Sequence, residues 1–299
     1  MRIGILFSNH LAEQPLHDQR LFQAARERGH QCDALHESSF TILADQEGVR
    51  ILYEGQPYAL YDVLVYRPNF QEEPSLHQYV LDALVGIGQP ILNGNLSTLS
   101  LKNKIWQHQR LMEAKVPMPR WAVAKSPKAA LCAAEQLSFP LMLKVAFGMR
   151  GRGVFFVESY QAFMPIVDYL AIRDKNPVIM EEYIAAAEQK DIRAFVVNGR
   201  VIASMQRSAR LHDVRANASL GGVGTSVTLQ EEEMVLAIRA AEIFALDVAG
   251  VDLIRSERGP LVLEVNAQPG YKELEACSGV DVAGAIIEAA LKKVSSSTS

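Results

Sequence analysis

Short apolar runs alternate with one-sided amphipathic stretches along the N-terminal third of the chain. Residues 3–7 form a bare apolar run around Gly4, which reads as a buried strand. Residues 19–28 place Leu21, Phe22, Ala24 and Ala25 on one side of a helix and stop at Gly29, suited to a C-cap. Residues 32–35, 62–66 and 90–93 read as further strands and residues 75–86 as a helix, while two short strands flank Glu54-Gly55. Strands that alternate with helices imply βαβ units and a mainly parallel sheet. His10, His17, Arg20 and Arg67 fall where the strand ends of such a sheet would open to ligand, although each taken alone is more often a surface position than a site. The first strand lacks a following Gly-x-Gly-x-x-Gly, which disfavours a dinucleotide site.

The middle of the chain changes pattern. Residues 97–116 read as one helix, stopped by Pro117-Met118-Pro119. A second α+β unit follows, with strands at 121–124 and 141–146 around a helix at 127–137. Lys144 interrupts an otherwise apolar strand, and a buried ammonium needs an anionic partner. The connection Phe147-Gly148-Met149-Arg150-Gly151-Arg152-Gly153 then leads into a strand at 154–158. Three glycines between strands allow a nest of backbone N–H groups for an anion, and the lysine just before it makes nucleotide phosphate the reading. A helix at 160–171 and a strand at 177–183 come next, where Met180 to Ile184 is a candidate adenine-reading hinge. Asp191-Ile192-Arg193 opens a hairpin turning at Asn198-Gly199, a type I′ signal. Its return strand at 201–206 runs into Arg207, Arg210, Arg215 and Asn217 and a glycine-rich stretch, a concentration of cations suited to phosphate oxygens. Residues 230–246 read as an amphipathic helix with an acidic first turn.

Residues 248–270 carry the sharpest chemistry. Val251 and Leu253 alternate with Asp252, and Leu261, Leu263 and Val265 alternate with Glu264 and Asn266, so two strands turn about Arg258-Gly259. Asp252 then lies opposite or nearly opposite Glu264, with Asn266 on the same face. Facing carboxylates repel unless a cation lies between them. Two carboxylates and an amide carbonyl suit Mg²⁺ or Mn²⁺, and the alternative is a solvated polar face of an edge hairpin.

With 299 residues, 49% of them hydrophobic, the chain can bury a large core divided over two or three lobes. A net charge of −4 supplies no basic field, so direct nucleic-acid binding is not expected. The apolar runs are too short for a membrane span. Cys32, Cys132 and Cys277 show no CxxC spacing, which points to reduced thiols in a cytoplasmic setting. The serine-rich residues 295–299 read as a disordered tail.

Taken in order, several of these features resemble the ATP-grasp fold: Lys104, Lys144 with its glycine loop, Glu181-Glu182-Tyr183-Ile184, Asp191-Ile192-Arg193, Arg215 with Asn217, VAGVDLIR at 248–255 and GPLVLEVNAQPG at 259–270. Within it the chain is similar to the RimK-like carboxylate–amine ligases, the group that includes the ribosomal protein S6 glutamate ligase. The likeness runs through nearly the whole chain. It implies an α/β protein of α+β lobes: an N-terminal α/β pre-ATP-grasp domain (1–96), a central lid (97–183) and a C-terminal lobe (184–294), with the tail beyond. It also implies ATP-dependent amide or peptide bond formation through an acylphosphate. The carboxylate donor would be an amino acid such as glutamate, and the acceptor an amine on a protein, peptide or small molecule. A homo-oligomer, dimer or tetramer, is implied as well.

Carried over by position, Lys104 and Lys144 would contact ATP phosphates and Glu181, Glu182 and Tyr183 would hold adenine. Asp191 would meet the ribose. Arg215 and Asn217 would line the phosphate and acylphosphate site, with Arg207 a further partner of the acylphosphate. Arg150 and Gly151 belong to the lid loop over ATP. Asp252, Glu264 and Asn266 would bind two Mg²⁺ or Mn²⁺ ions. The chain departs from the S6 ligase pattern at its bulkier lid loop with Arg150 and Arg152, at Leu220, and at Gln268, Tyr271 and Lys272. Those departures put the identity of the acceptor in doubt and leave open a dipeptide or cofactor-tailing ligase, or a non-catalytic ATP-binding module.

Overall fold

The computed structural model describes residues 1–8, 16–68, 74–147, 153–173, 175–208 and 223–296. The N-terminal elements are β1 (Arg2–Phe7), α1 (Leu16–Glu27), β2 (Gln31–His36), β3 (Phe40–Asp45), β4 (Gly48–Tyr53), β5 (Gln56–Pro57), β6 (Val63–Arg67), α2 (Gln78–Gly86) and β7 (Ile91–Leu92). The apolar strands expected from the sequence form a parallel sheet in the order β2-β1-β6-β7. Strand β3 was not anticipated: it pairs with β4 and β5 in a separate antiparallel sheet, where the Phe40 and Tyr53 rings meet edge-on at 4.9 Å.

Where one helix was expected over 97–116, the chain forms α3 (Leu96–Ser100) and α4 (Lys104–Glu113). Asn103 causes the break. Its extended backbone and its side-chain oxygen, which accepts from the amides of Ile105 and Trp106, start a new helix at Lys104.

The lid sheet comprises β8 (Trp121–Ala124), β9 (Leu141–Val145), β10 (Val154–Val157) and β11 (Val178–Glu182), all antiparallel, in the order β10-β9-β11-β8. Leu141, Leu143, Val157, Val178 and Met180 leave one face and pack on α5 (Pro127–Leu137) and α6 (Tyr160–Asp168). Alternation therefore sends Met142, Lys144, Phe156 and Glu181 to the opposite face.

The C-terminal sheet is antiparallel in the order β14-β13-β12-β15-β16, built from β12 (Lys190–Val197), β13 (Arg200–Ser208), β14 (Val223–Ser226), β15 (Val248–Ser256) and β16 (Gly259–Asn266), with α7 (Glu231–Ile243) before β15. The Asn198-Gly199 turn adopts positive φ at both residues, 46° and 69°, as its type I′ signal requires. Helices α8 (Lys272–Ser278) and α9 (Val282–Ser296) close the chain, and α9 carries helical structure to Ser296. Neither helix was placed from the sequence.

The two faces of the C-terminal sheet have different neighbours. Ile192, Ala194, Val251, Leu253 and Val265 pack with Leu111, Val116 and the apolar side of α7. Phe195 and Val197 leave the other face and share a core with Ile3, Ile5, Val63 and Val65 of the N-terminal sheet and with Ile286 and Ile287 of α9. Asn93, buried behind β7, clamps this junction by donating to the carbonyls of Val248 (2.7 Å) and Ala267 (2.9 Å).

Candidate functional site: a charged row joined to the lid

The late hairpin has the register that its alternation predicts: Asp252 is the cross-strand partner of Glu264, and Gly250 of Asn266. A bulge between Asp252 and Leu253 interrupts the ladder. On the other side of β15, Arg193 is the partner of Asp252. One cross-strand row thus reads Arg193, Asp252, Glu264. Arg193 donates to both oxygens of Asp252 at 2.8 Å each. Arg207 donates to both oxygens of Asp191, its own cross-strand partner, at 2.6 and 2.7 Å and reaches Asp252 at 2.9 Å. Burial opposes the charge of Asp252, but the Arg193 and Arg207 guanidinium groups outweigh it and lower the carboxyl to about 2. A side chain at position 250 would disturb this row, since a Cβ there would sit 2.5 Å from Pro269.

Helix α4 brings the third cation. Gln107, fully buried, donates to the Val265 carbonyl (2.9 Å) and accepts from its amide (2.8 Å). It thereby pairs the outward backbone groups of Val265 on the edge strand β16 and fixes the helix against it. Lys104, the first residue of α4, then donates to Glu264 at 2.7 Å. Three carboxylates (Asp191, Asp252, Glu264) and three cations (Arg193, Arg207, Lys104) balance on this surface.

One turn further along α4, His108 connects this surface to the lid. Its Nδ1 is 2.7 Å from the Lys104 carbonyl and its Nε2 is 2.7 Å from Glu181. The other oxygen of Glu181 accepts from Lys144 at 2.6 Å. Burial works against the Glu181 charge; Lys144 and His108 overcome it and lower the carboxyl to about 2. The Lys104 amide also donates to the Ala146 carbonyl at 3.0 Å. Gly153, just before β10, packs on Val145 with φ of 77° and no room for a Cβ, which would lie 2.4 Å from a Val145 methyl.

At the end of β11, Glu182 accepts from the Arg120 amide (2.8 Å) and side chain (2.9 Å) and pairs with Arg258 at the hairpin tip. Main-chain amides there are engaged too: Glu182 donates to the Arg120 carbonyl and Tyr183 to the Pro140 carbonyl. The Tyr183 ring lies 4.8 Å from Phe156 on the inward face of the lid sheet.

Of the residues singled out from the sequence, the structure brings together Lys104, Lys144, Glu181, Asp191, Arg207, Asp252 and Glu264, with Asn266 on the same strand face as Glu264. Arg150, Gly151, Arg215 and Asn217 lie outside the described residues. Arg193, His108 and Gln107 were given no role from the sequence. For Arg193 the signal was available in its spacing of two from Asp191; for His108 and Gln107, inside an apparent surface helix, it was not.

A lid sheet bearing a lysine, followed in sequence by a glycine-rich connection, and an antiparallel sheet bearing an oxygen-rich hairpin define an ATP-grasp enzyme. Solved structures agree on the fold. The ATP-grasp ligase PsnB, solved with a minimal precursor, Mg and ADP, superposes with a TM-score of 0.74 at 19% identity over 98% of this chain and 97% of its own. The D-alanine--D-alanine ligase of Bacillus anthracis gives 0.70 at 16% identity over 99% and 98%. In sequence, the chain is 36% identical to a probable alpha-L-glutamate ligase of Mannheimia succiniciproducens, over 92% of this chain and 94% of that one. It is 34% identical to a ribosomal protein bS6--L-glutamate ligase of Salmonella schwarzengrund, over 90% and 89%. Residues 1–77 match the RimK PreATP-grasp domain and residues 101–290 the RimK-like ATP-grasp domain, and the chain belongs to the RimK family. It is an ATP-dependent carboxylate–amine ligase that forms C–N bonds, in a family that works with ATP and magnesium or manganese. Among the described residues, no helix is long and apolar enough to cross a membrane.

Proposed function

We propose that this ligase adds an amino acid, glutamate foremost, to an amine of a protein or peptide acceptor. The observation that carries the reading is a chain of ion pairs and hydrogen bonds from the hairpin to the lid: Asp252 and Glu264 on one face, Lys104 on Glu264, and Lys144 reached from the Lys104 carbonyl through His108 and Glu181. Relatives named as glutamate ligases, similar along nearly their whole length, support glutamate over other donors.

In this reading Lys104 and Lys144 bind ATP phosphates. Adenine lies against the end of β11, on the surface formed by Met142, Phe156 and Tyr183. With the Glu182 and Tyr183 amides already bonded, main-chain carbonyls meet its edge. Asp191 was assigned to the ribose from the sequence; because both its oxygens take Arg207, we assign it instead to holding that arginine toward Asp252. Arg207, Arg215 and Asn217 serve the transferring phosphoryl group, and Arg150 and Gly151 serve ATP as members of the glycine-rich loop.

Asp252, Glu264 and Asn266 present oxygen donors only, and their two carboxylates draw three side-chain cations. That demand for positive charge fits a hard divalent ion. These three residues would hold two Mg²⁺ or Mn²⁺ ions, which would supply charge neutralisation for the triphosphate. The substrate carboxylate oxygen attacks the γ-phosphorus and ADP leaves; the amine nitrogen then attacks the acyl carbon, phosphate leaves, and the amine gives up a proton. Closure of the lid keeps water from the mixed anhydride. We further read the chain as three lobes divided near residues 96 and 183, acting in the cytoplasm as a homo-oligomer.

The test is ADP release across the twenty amino acids, alone and with candidate amine acceptors. Glutamate-dependent release is expected with wild-type enzyme and is lost in Asp252→Ala and Asn266→Ala that remain folded by circular dichroism. Normal turnover in either variant overturns the metal assignment.

A further inference from the structure

We infer that His108 is a positioning residue: held as a buried imidazolium, it shares the charge of Glu181 and so leaves the positive charge of Lys144 available to a phosphate. The inference rests on the assignment of Lys144 to ATP.

The hydrogen-bond geometry sets the protonation state. The Lys104 carbonyl can only accept, so Nδ1, 2.7 Å away, donates to it. Nε2 faces Glu181 at 2.7 Å, and Lys144 at 2.6 Å from the other oxygen favours that carboxyl in its ionised, acceptor-only form. Both ring nitrogens therefore donate. The His108 side chain is 2% exposed and that of Glu181 3%, so water does little to screen the pair. On the remaining side the ring meets the face of Trp121 nearly edge-on, with centroids 5.2 Å apart, and Trp121 brings no competing charge.

Lys144 and Glu181 by themselves make a neutral pair, and an incoming phosphate would meet only a dipole. With His108 protonated, two cations share one carboxylate and the group keeps a net charge of +1. The ring also links two elements, since its Nδ1 is tied within the helix that carries Lys104 and its Nε2 to the strand that neighbours Lys144.

Binding of ATP with Mg²⁺, in the absence of amino acid, is measured by calorimetry on the full-length protein. Lys144→Met tests the underlying assignment and is expected to weaken binding at least tenfold or so. His108→Gln makes the group neutral and is expected to weaken binding about tenfold. His108→Gln combined with Glu181→Gln restores a charge of +1 on Lys144, and binding is expected to recover most of that loss. A merely structural histidine predicts a double variant no better than the single one, and that result overturns the inference. Wild-type affinity in His108→Gln does the same, whereas wild-type affinity in Lys144→Met removes the assignment beneath it. Independently of any substitution, ¹⁵N spectra of histidine-labelled wild-type protein should show both His108 ring nitrogens protonated at neutral pH. A single protonated nitrogen overturns the inference.

Discussion

Arg193 leaves β12 two residues after Asp191, so the two side chains share a face, one of a strand whose neighbours supply Arg207 on one side and Asp252 on the other. Both of its bonds to Asp252 depend on a planar fork with fixed spacing. Removing one partner of a buried pair leaves charge unmatched, although Arg207 still serves Asp252. Arg193→Ala is therefore expected to cost about 2–3 kcal/mol in urea unfolding, and Arg193→Lys to recover only part of it. Equal stability of the lysine variant and wild type would refute the bidentate role. Glu181 makes a pH prediction. Its carboxyl drops from an ordinary 4.5 to about 2 in the folded protein, so its contribution to stability is present above the higher value and is lost as pH falls toward the lower one. Across that window wild-type stability should fall by up to about 1.4 kcal/mol per pH unit from this group, and Glu181→Gln should flatten the dependence. An unchanged slope in that variant would show that the group titrates normally.

At the scale of elements, the division of the expected 97–116 helix matters most. A continuous helix would leave the register of Lys104 to the preceding turn. Instead Asn103 restarts the helix, and Lys104 begins the new one with its amide on Ala146 and its ammonium on Glu264. Asn103→Ala should lower stability by about 1 kcal/mol, the usual worth of an N-cap. It should also raise KM for ATP, because the first turn that carries Lys104 loosens; a loss of stability with KM unmoved would separate the cap from the site. Strand β3, FTILAD, falls outside the strand–helix alternation of the parallel sheet, and pairing with β4 along six residues makes it a strand. The facing of Asp252 and Glu264 was readable, since alternation with a period of two is a local property; it holds from Glu264 to Asn266, and the bulge beside Asp252 shifts the register below them.

Considered as a whole, the molecule has unequal joints. The N-terminal sheet, α9 and the lower part of the C-terminal sheet share one apolar core, whereas the lid packs its apolar face on its own helices. Polar links tie the lid sheet to helix α4 and to the hairpin tip: His108 to Glu181, the Lys104 amide to Ala146, and Arg258 to Glu182. Such links open more readily than a packed interface. Hydrogen exchange should therefore slow in β9, β10 and β11 when ATP and Mg²⁺ bind, with little change in β1 and β6. Uniform protection across both sheets would argue against a separately moving lid.

Local order of side chains determined the strand–helix alternation of the N-terminal region, the Asn198-Gly199 turn and the facing of Asp252 and Glu264, each set by neighbours a few residues apart. Those features, with the order of the motifs, were enough to reach the class of enzyme. Packing alone decided who neutralises whom: Lys104 meets Glu264 across 160 residues of chain, His108 meets Glu181 across 73, and Arg193 meets Asp252 across 59. The physical reason is that a buried charge takes the partner that folding brings within about 3 Å, and sequence periodicity reports the face a side chain leaves by but not what waits there.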